Sequence, residues 1–203
     1  SRSTRNPVAL SERRKILVSL NTPLCCFGLK AKPFNLLGVD DELWTLDKIK
    51  GDKGLLIMFI CNHCPYVKAI LPRLINDLYE LKQYGINSIA ISSNDTVNYP
   101  EDSFEEMKKL SHFQNFTFPY VFDESQSVAK AYDAICTPDF FGFNKDLGLQ
   151  YRGRFDSTGR GDKPPANNQR DLYEAMKLIS STQKGPKNQF SSIGCSLKWK
   201  EVN

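Results

Sequence analysis

An unbroken apolar run followed at once by two closely spaced cysteines decides the fold: Leu55–Ile60 is LLIMFI, and Cys61–Pro65 is CNHCP. A continuous apolar run of this length is typical of a central strand that is covered on both faces of a sheet. After the motif, apolar residues recur at helical spacing from Val67 to Leu81, and a proline suits the first turn of a helix. The sequence therefore predicts a buried strand, a C-x-x-C motif and a helix in immediate succession.

Strand and helix patterns alternate outward from this unit. Gly85 is expected to end the first helix, and Pro72 to kink it by removing the hydrogen bond to the carbonyl of Lys68. Further extended segments are predicted at Pro33–Leu37, Leu43–Leu46, Ile86–Ser92, Phe118–Phe122, Phe140–Phe143 and Leu149–Phe155, and further helices at Asp102–His112, Ser125–Tyr132 and Gln169–Ser181. Beyond Thr182 the tail is predicted to be irregular. This alternation indicates one α/β domain with a largely parallel central sheet.

The composition is that of an ordinary globular protein and excludes several classes. The chain has 203 residues, enough for one well-packed domain, with 40% hydrophobic and 25% charged residues and a net charge of +4. No cluster of Lys and Arg alternates with aromatic residues, so we expect no binding of nucleic acid. No apolar run approaches the ~18 residues that span a membrane. The start, residues 1–15, is basic, but the apolar stretch Ile16–Leu20 is too short for a secretory signal, so we expect a cytoplasmic protein.

Six cysteines in a chain of this length are too few for a scaffold held together by disulfides. The spacing of Cys61 and Cys64 instead predicts a redox pair that closes a small disulfide ring. Cys61 is expected at the helix N-terminus, where free N–H groups and the helix dipole stabilise a thiolate that attacks a partner disulfide. Cys64, one turn further, would resolve the mixed disulfide. A cationic His63 between them would favour the Cys61 thiolate further.

The same residues admit other interpretations. The C-x-x-C pair could be two zinc ligands, although zinc knuckles usually supply a second close pair. Cys136 and Cys195 would complete a four-cysteine set only if the fold gathers them. His63 could instead be an exposed histidine at the helix start with little influence on the cysteines, and His112 is interpreted as structural or exposed.

Further motifs accompany the C-x-x-C between Ala31 and Lys200. They are Phe59–Pro65 (FICNHCP), Ser93–Asp95 (SND), Tyr99–Asp102 (YPED), Phe118–Tyr120 (FPY), Cys136–Phe141 (CTPDFF), Tyr151–Arg154 (YRGR) and Gly194–Lys200 (GCSLKWK). With these residues the chain resembles the thioredoxin superfamily, and more closely its peroxiredoxin-like redoxin branch of AhpC/TSA type that carries a C-x-x-C.

The resemblance implies an architecture. It implies a thioredoxin-like α/β fold, in which a central mixed sheet is flanked by helices, with a peroxiredoxin-type insertion and a C-terminal tail. The expected parts are an N-terminal extension over residues 1–30, a thioredoxin-like domain over residues 31–183, and a tail over residues 184–203 that packs on the domain.

The resemblance also assigns candidate residues around the motif. Thr137–Pro138 looks like the cis-proline loop that lies against the C-x-x-C in this fold, where its backbone pairs with an extended substrate segment. That loop would bring Cys136 near Cys64, as an additional redox thiol or as a small buried hydrophobe. The tail would fold back over the site, which makes Cys195 a candidate extra resolving thiol, with a packing cysteine as the alternative.

The chain departs from the patterns of the families it resembles. The helix proline of thioredoxins falls five residues past the second cysteine, whereas Pro72 falls eight past it. Thioredoxins carry a buried aspartate six residues before the first cysteine, and Leu55 holds that position here, which leaves the proton acceptor for Cys64 unassigned. Peroxiredoxins use T-x-x-C, and here Cys61 occupies the threonine position while Cys64 occupies the peroxidatic one. Arg152 or Arg154 would be the arginine that supports a peroxide site, and Arg154 is the one we assign.

These residues favour a dithiol–disulfide oxidoreductase that acts on protein or small disulfides, with an electron-donor dithiol protein as its partner. One alternative is a thiol-dependent peroxidase that uses Cys64 or Cys61 with Arg154 against peroxides. The other is a non-catalytic metal-binding protein in which the two motif cysteines, Cys136 and Cys195 hold zinc. The leading interpretation requires no cofactor and no metal.

Overall fold

The computed structural model describes residues 18–159 and 161–202. The basic start of the chain lies outside these residues, and so does most of the expected extension over residues 1–30. The prediction that the start is no secretory signal therefore concerns residues that are not described. In the described part, the strands are β1 (Ser19–Asn21), β2 (Asn35–Gly38), β3 (Leu43–Thr45), β4 (Gly54–Phe59), β5 (Ile86–Ser92), β6 (Tyr120–Phe122), β7 (Cys136–Thr137), β8 (Asp139–Asn144), β9 (Leu149–Tyr151) and β10 (Ile193–Ser196). The helices are α1 (Leu46–Ile49), α2 (Pro65–Leu81), α3 (Phe104–Phe113), α4 (Ser127–Ala131) and α5 (Asp171–Thr182), with short 3-10 turns at Lys82–Tyr84 and Pro100–Asp102. Within the same residues, no helix has the length and apolar character needed to cross a membrane.

The strands of the described residues form a large sheet and a small one. The large sheet has the order β3-β2-β6-β5-β4-β8-β9. β5 pairs parallel with β4 and with β6, and the other adjacent strands in this sheet are antiparallel. The prediction of a largely parallel sheet from the alternation of strands and helices is therefore wrong. Short turns, such as the one between β8 and β9, join neighbouring strands that run antiparallel. The central mixed sheet that the resemblance implies is confirmed.

β4 lies at the centre of the core, and all of its residues are buried. Side chains alternate between the two faces of a strand. Leu56 and Met58 accordingly pack with the buried faces of α2 and α5, whereas Leu55 and Ile57 pack on the opposite face with Val128 of α4. The prediction of a central strand from the continuous apolar run is confirmed.

The predicted helix after the motif is confirmed as α2. It begins at Pro65, and Cys64 is its N-cap residue. Pro72 lies inside α2, which continues to Leu81 as one helix. The 3-10 turn that follows ends at Gly85, which adopts a left-handed conformation with φ of 74°. Glycine is suited to this position because it has no Cβ atom to oppose a positive φ.

The tail contains a strand, so the prediction that it is irregular beyond Thr182 is wrong. β10 pairs antiparallel with β1 and with β7 in the small sheet. A Cβ atom on Gly194 would collide with the carbonyl group of Thr137, so glycine allows this close approach. The four residues of β10 include this glycine and a serine, and they lack the alternating apolar pattern that reveals a strand in a sequence.

β9 is shorter than the extended segment predicted at Leu149–Phe155. It ends at Tyr151. The next backbone N–H, that of Arg152, donates to the side-chain Oε1 of Gln189 at 2.9 Å. This side-chain bond takes up the donor that a longer strand would use in the sheet.

A buried ion pair fixes the backbone on both sides of Thr137–Pro138. Asp139 is fully buried, and its two carboxylate oxygens accept hydrogen bonds from Nε of Arg152 at 3.2 Å and from Nη2 at 2.9 Å. Oδ2 of Asp139 also accepts the backbone N–H of Ile135 at 3.2 Å. The guanidinium group lies 4.4 Å from the ring centroid of Phe141. These contacts satisfy both charges away from water and join β7 to β8.

We expect Arg152→Met to lower the free energy of unfolding by about 3 to 5 kcal/mol, because Asp139 then has a buried carboxylate without its cation. Urea denaturation followed by circular dichroism measures the loss. The double variant with Asp139→Asn should recover part of it, since the amide carries no charge. A loss below about 1 kcal/mol in the single variant, the range of an exposed pair, would contradict this role.

Candidate functional site

The C-x-x-C motif lies where β4 passes into α2, and both of its thiols are buried. Cys61 is 1% exposed and Cys64 is 0% exposed. Because α2 begins at Pro65, its N-cap residue is Cys64, and the expectation that Cys61 stands at the helix N-terminus is wrong. The free N–H groups and the dipole of the helix therefore act on Cys64.

Thr137 contacts both cysteines of the motif. Its peptide bond to Pro138 is cis. Sγ of Cys61 lies 3.5 Å from Oγ1 of Thr137, and Sγ of Cys64 lies 3.2 Å from the carbonyl oxygen of Thr137. The structure thus places the Thr137–Pro138 loop directly against the C-x-x-C.

A third thiol reaches the site from the tail. The pairing of β10 with β7 sets Cys195 opposite Thr137, and the Sγ atoms of Cys195 and Cys64 are 2.8 Å apart. Cys136 behaves differently, because its thiol is directed to the carbonyl oxygen of Pro138 at 3.6 Å. Burial raises the pKa of the Cys136 thiol, so that it stays protonated. Of the two extra cysteines, the structure brings Cys195 into contact with the motif.

One of the three neighbouring sulfurs is favoured as a thiolate. Hydrogen bonds from Cys195 and Cys61 lower the pKa of Cys64 far below that of a free thiol, and the backbone N–H of Val67 in the first turn of α2 adds to this effect. The hydrogen bond to Cys64 raises the pKa of Cys61, as do burial and the nearby charge of Asp102. The hydrogen bond to Cys64 and burial also raise the pKa of Cys195. The arrangement is that of a Cys64 thiolate held between two protonated thiols.

A buried carboxylate holds the residues between the two cysteines. Asp102 is fully buried, and its Oδ1 accepts the backbone N–H of Asn62 at 2.9 Å. Its Oδ2 accepts from Nδ2 of Asn94 at 2.9 Å and lies 2.7 Å from Nδ1 of His63. The imidazole ring of His63 is stacked on the ring of Tyr99, with centroids 5.9 Å apart. His63 is therefore held between two partners rather than exposed at a helix start.

Sequence reasoning missed Asp102 as a site residue. It belongs to the YPED motif that carries part of the resemblance, but an aspartate in a polar turn is usually exposed, and no spacing shows that this turn folds beneath the motif. Its carboxylate lies within 4.8 Å of both the Cys61 sulfur and a His63 nitrogen. The buried acid that Leu55 does not supply is thus present from another part of the chain, beside Cys61.

The same three groups are the candidate metal ligands in the described part of the chain. Cys61, His63 and Asp102 each offer one ligand atom, and these atoms lie within 4.8 Å of one another. The carboxylate oxygens already accept hydrogen bonds from two amide groups. Within the described residues, Cys136 does not join the motif cysteines and Cys195 in a common ligand set, so the structure contradicts the four-cysteine zinc site.

The arginines considered for a peroxide site bind carboxylates elsewhere. Arg152 holds the buried carboxylate described above, and Arg154 forms an ion pair with Asp171. Arg154 also lines a cavity of about 210 Å³ that reaches Pro138. Among the contacts of the described residues, neither guanidinium group donates to Cys64. The structure therefore does not bring Arg154 to the sulfur that it would support.

Comparison with known proteins shows which family model and which solved structures the chain resembles. The model of the AhpC/TSA family matches residues 27–155. The crystal structure of an uncharacterized conserved protein from Geobacillus kaustophilus is 40% identical, with a TM-score of 0.86 over 92% of this chain and 99% of that one. A hypothetical protein from Sinorhizobium meliloti 1021 is 34% identical, with a TM-score of 0.80 over 92% of this chain and 100% of that one. No curated protein matches the sequence significantly.

A more distant solved structure identifies the fold. The thioredoxin domain of a thiol-disulfide oxidoreductase from Bacteroides vulgatus is 17% identical, with a TM-score of 0.53 over 63% of this chain and 87% of that one. At this identity the likeness concerns the backbone arrangement alone. The fold of this chain is thioredoxin-like.

We expect the reduced protein to keep one thiolate down to about pH 5, whereas a free thiol with a pKa of about 8.5 loses its charge tenfold with each pH unit below that value. The ultraviolet absorbance of thiolate, followed during a pH titration, measures this. Cys64→Ser should remove the signal, and Cys26→Ser, which deletes an exposed thiol outside the site, should leave it unchanged. A wild-type protein that keeps no thiolate absorbance below about pH 8 would contradict a lowered pKa for Cys64.

Proposed function

The chain belongs to the AhpC/TSA family, and we propose that it acts there as a thiol–disulfide oxidoreductase that uses the dithiol of Cys61 and Cys64 on protein or small disulfides. Membership makes it a thioredoxin-like redox protein of a family that acts on thiol or peroxide substrates. The observation that carries the finer proposal is the position of Cys64 at the N-terminus of α2, where its pKa is lowered, three residues from a second thiol. A low-pKa thiolate beside a resolving thiol is what disulfide exchange requires.

The roles of the two cysteines follow from their protonation. The Cys64 thiolate attacks one sulfur of a substrate disulfide, forms a mixed disulfide with it, and releases the other substrate sulfur as a thiolate. Cys61 then loses its proton and attacks Sγ of Cys64, which forms the Cys61–Cys64 disulfide and releases the second substrate thiolate. The substrate gains two electrons and the dithiol loses two. This order reverses the one expected from the sequence, because the structure puts Cys64 at the helix terminus.

The proton of Cys61 has an acceptor nearby in this proposal. The Asp102 carboxylate and the His63 imidazole lie within 4.8 Å of the Cys61 sulfur and within 2.7 Å of each other. Together they can take the proton as Cys61 attacks, which a buried thiol needs in order to become a nucleophile. An external dithiol protein would then reduce the Cys61–Cys64 disulfide and restore the starting state.

We expect Cys64→Ser to lower the rate at which the reduced protein cleaves insulin or glutathione disulfide by at least ~100-fold in a single turnover, because the low-pKa nucleophile is gone. Cys61→Ser should still release the first substrate thiol, since it deletes only the resolving thiol. Cys26→Ser serves as the matched control and should retain the wild-type rate. Wild-type cleavage by the Cys64→Ser protein would rule out Cys64 as the nucleophile.

The N-cap position of Cys64 also favours a second candidate, a thiol-dependent peroxidase. The thiolate would attack a peroxide oxygen to give a sulfenic acid and an alcohol or water, and Cys61 would then form the disulfide and release water. No arginine among the described residues donates to Cys64, so the structure offers less support for this chemistry. Stopped-flow mixing with hydrogen peroxide tests this candidate. A rate of thiol oxidation no faster than that of a free thiol would exclude a peroxidase.

A further inference from the structure

The site as it stands is closed by the protein's own tail. In a thioredoxin-like protein, the backbone of the loop that corresponds to Thr137–Pro138 can pair with an extended segment of substrate when that backbone is free. Here β10 already pairs with this backbone, because Cys195 pairs with Thr137 and Ser196 pairs with Cys136 in an antiparallel register. Since Cys61 and Cys64 are buried beneath this arrangement, a protein substrate reaches the Cys64 sulfur only when β10 moves away.

The tail presents a sulfur where a substrate would. Sγ of Cys195 lies 2.8 Å from Sγ of Cys64, and both are free thiols. Gly194 permits this approach, because any side chain there would collide with the Thr137 carbonyl. Formation of a covalent bond between the two sulfurs requires a shift of less than ~1 Å.

Contacts on both sides of β10 hold it without a covalent bond. Before the strand, the hydroxyl of Ser192 donates to the carbonyl oxygen of Pro138 at 3.0 Å. After it, the backbone N–H of Lys198 donates to Oδ1 of Asn94 at 2.9 Å, and its carbonyl oxygen accepts from the N–H of Asp95 at 2.8 Å. These are neutral hydrogen bonds of a kind that opens and closes locally, so a covalent link would change how often the strand opens.

We propose that Cys195 is a third redox cysteine, which forms a disulfide with Cys64 and thereby fastens β10 across the site. This inference rests on the proposed role of Cys64 as the nucleophile. The oxidised protein then has two forms. In the form with a Cys61–Cys64 disulfide, β10 is held by non-covalent contacts alone. In the form with a Cys64–Cys195 disulfide, β10 is held covalently.

The two disulfides interconvert without any further oxidant. In the mixed disulfide, Cys195 attacks Sγ of Cys64, a Cys64–Cys195 bond forms, and the substrate sulfur leaves with the proton of Cys195. Cys61 can then attack the same Sγ of Cys64, which breaks the Cys64–Cys195 bond and transfers the Cys61 proton to Cys195. The first step completes a two-electron reduction of the substrate, and the second is an exchange with no net redox change.

Variants that each lack one cysteine distinguish the two disulfides. After oxidation with glutathione disulfide, peptide mapping under non-reducing conditions should find a Cys64–Cys195 disulfide in Cys61→Ser protein and a Cys61–Cys64 disulfide in Cys195→Ser protein. Cys136→Ser is the matched control, since Cys136 is also buried and precedes Thr137 on β7, and it should leave both bonds available. A Cys61→Ser protein that holds only a glutathione adduct on Cys64 would overturn the inference, whereas absence of the Cys61–Cys64 bond in Cys195→Ser protein would instead overturn the proposed function.

Hydrogen exchange tests whether the bond fastens the strand. The amides of Ser196 and Leu197 donate to the carbonyl oxygens of Val18 and Ile135, so their exchange reports opening of the tail. We expect at least ~10-fold slower exchange at both amides in oxidised Cys61→Ser protein than in its reduced form, and no such slowing in oxidised Cys195→Ser protein. Equal exchange in the oxidised and reduced Cys61→Ser protein would overturn the claim that the bond locks β10.

Discussion

Thr137 contacts both cysteines of the motif and pairs through its backbone with the strand that carries a third. Its carbonyl oxygen is 3.2 Å from the Cys64 sulfur, its hydroxyl is 3.5 Å from the Cys61 sulfur, and Cys195 stands opposite it in the small sheet. The rest of the site depends on this meeting point. Two thiols of the motif and a third from the tail are thereby close enough to share hydrogen bonds, and the one at a helix terminus becomes the most acidic.

The two buried carboxylates near this point have polar partners, which lets the site be both dry and charged. The carboxylate of Asp139 is matched by Arg152, and that of Asp102 by the amides of Asn62 and Asn94 and by His63. A buried charge without such partners would be strongly unfavourable. These pairs also fix the two loops that approach the motif, so the geometry of the sulfurs is set by contacts outside the C-x-x-C itself.

The sequence predicts the central unit well, because a six-residue apolar strand followed by an amphipathic helix is a local pattern. It does not predict which cysteine caps the helix, since a local pattern leaves the first helical residue uncertain, and Cys64 rather than Cys61 occupies that place. β10 and the burial of Asp102 depend on contacts between residues far apart in the chain. A short strand with Gly194 and a turn with Asp102 carry no periodic signal, so their places emerge only from the folded structure.

In the proposed function, the sulfur of Cys64 is the redox centre on which the other thiols act. Titration of the wild-type protein in glutathione and dithiothreitol buffers, with mass-spectrometric mapping of the cysteines at each potential, tests it most directly. We expect reversible two-electron oxidation in which every intramolecular disulfide includes Cys64, joined to Cys61 or to Cys195. A reversible disulfide that leaves Cys64 free, or the absence of any reversible couple, would contradict it.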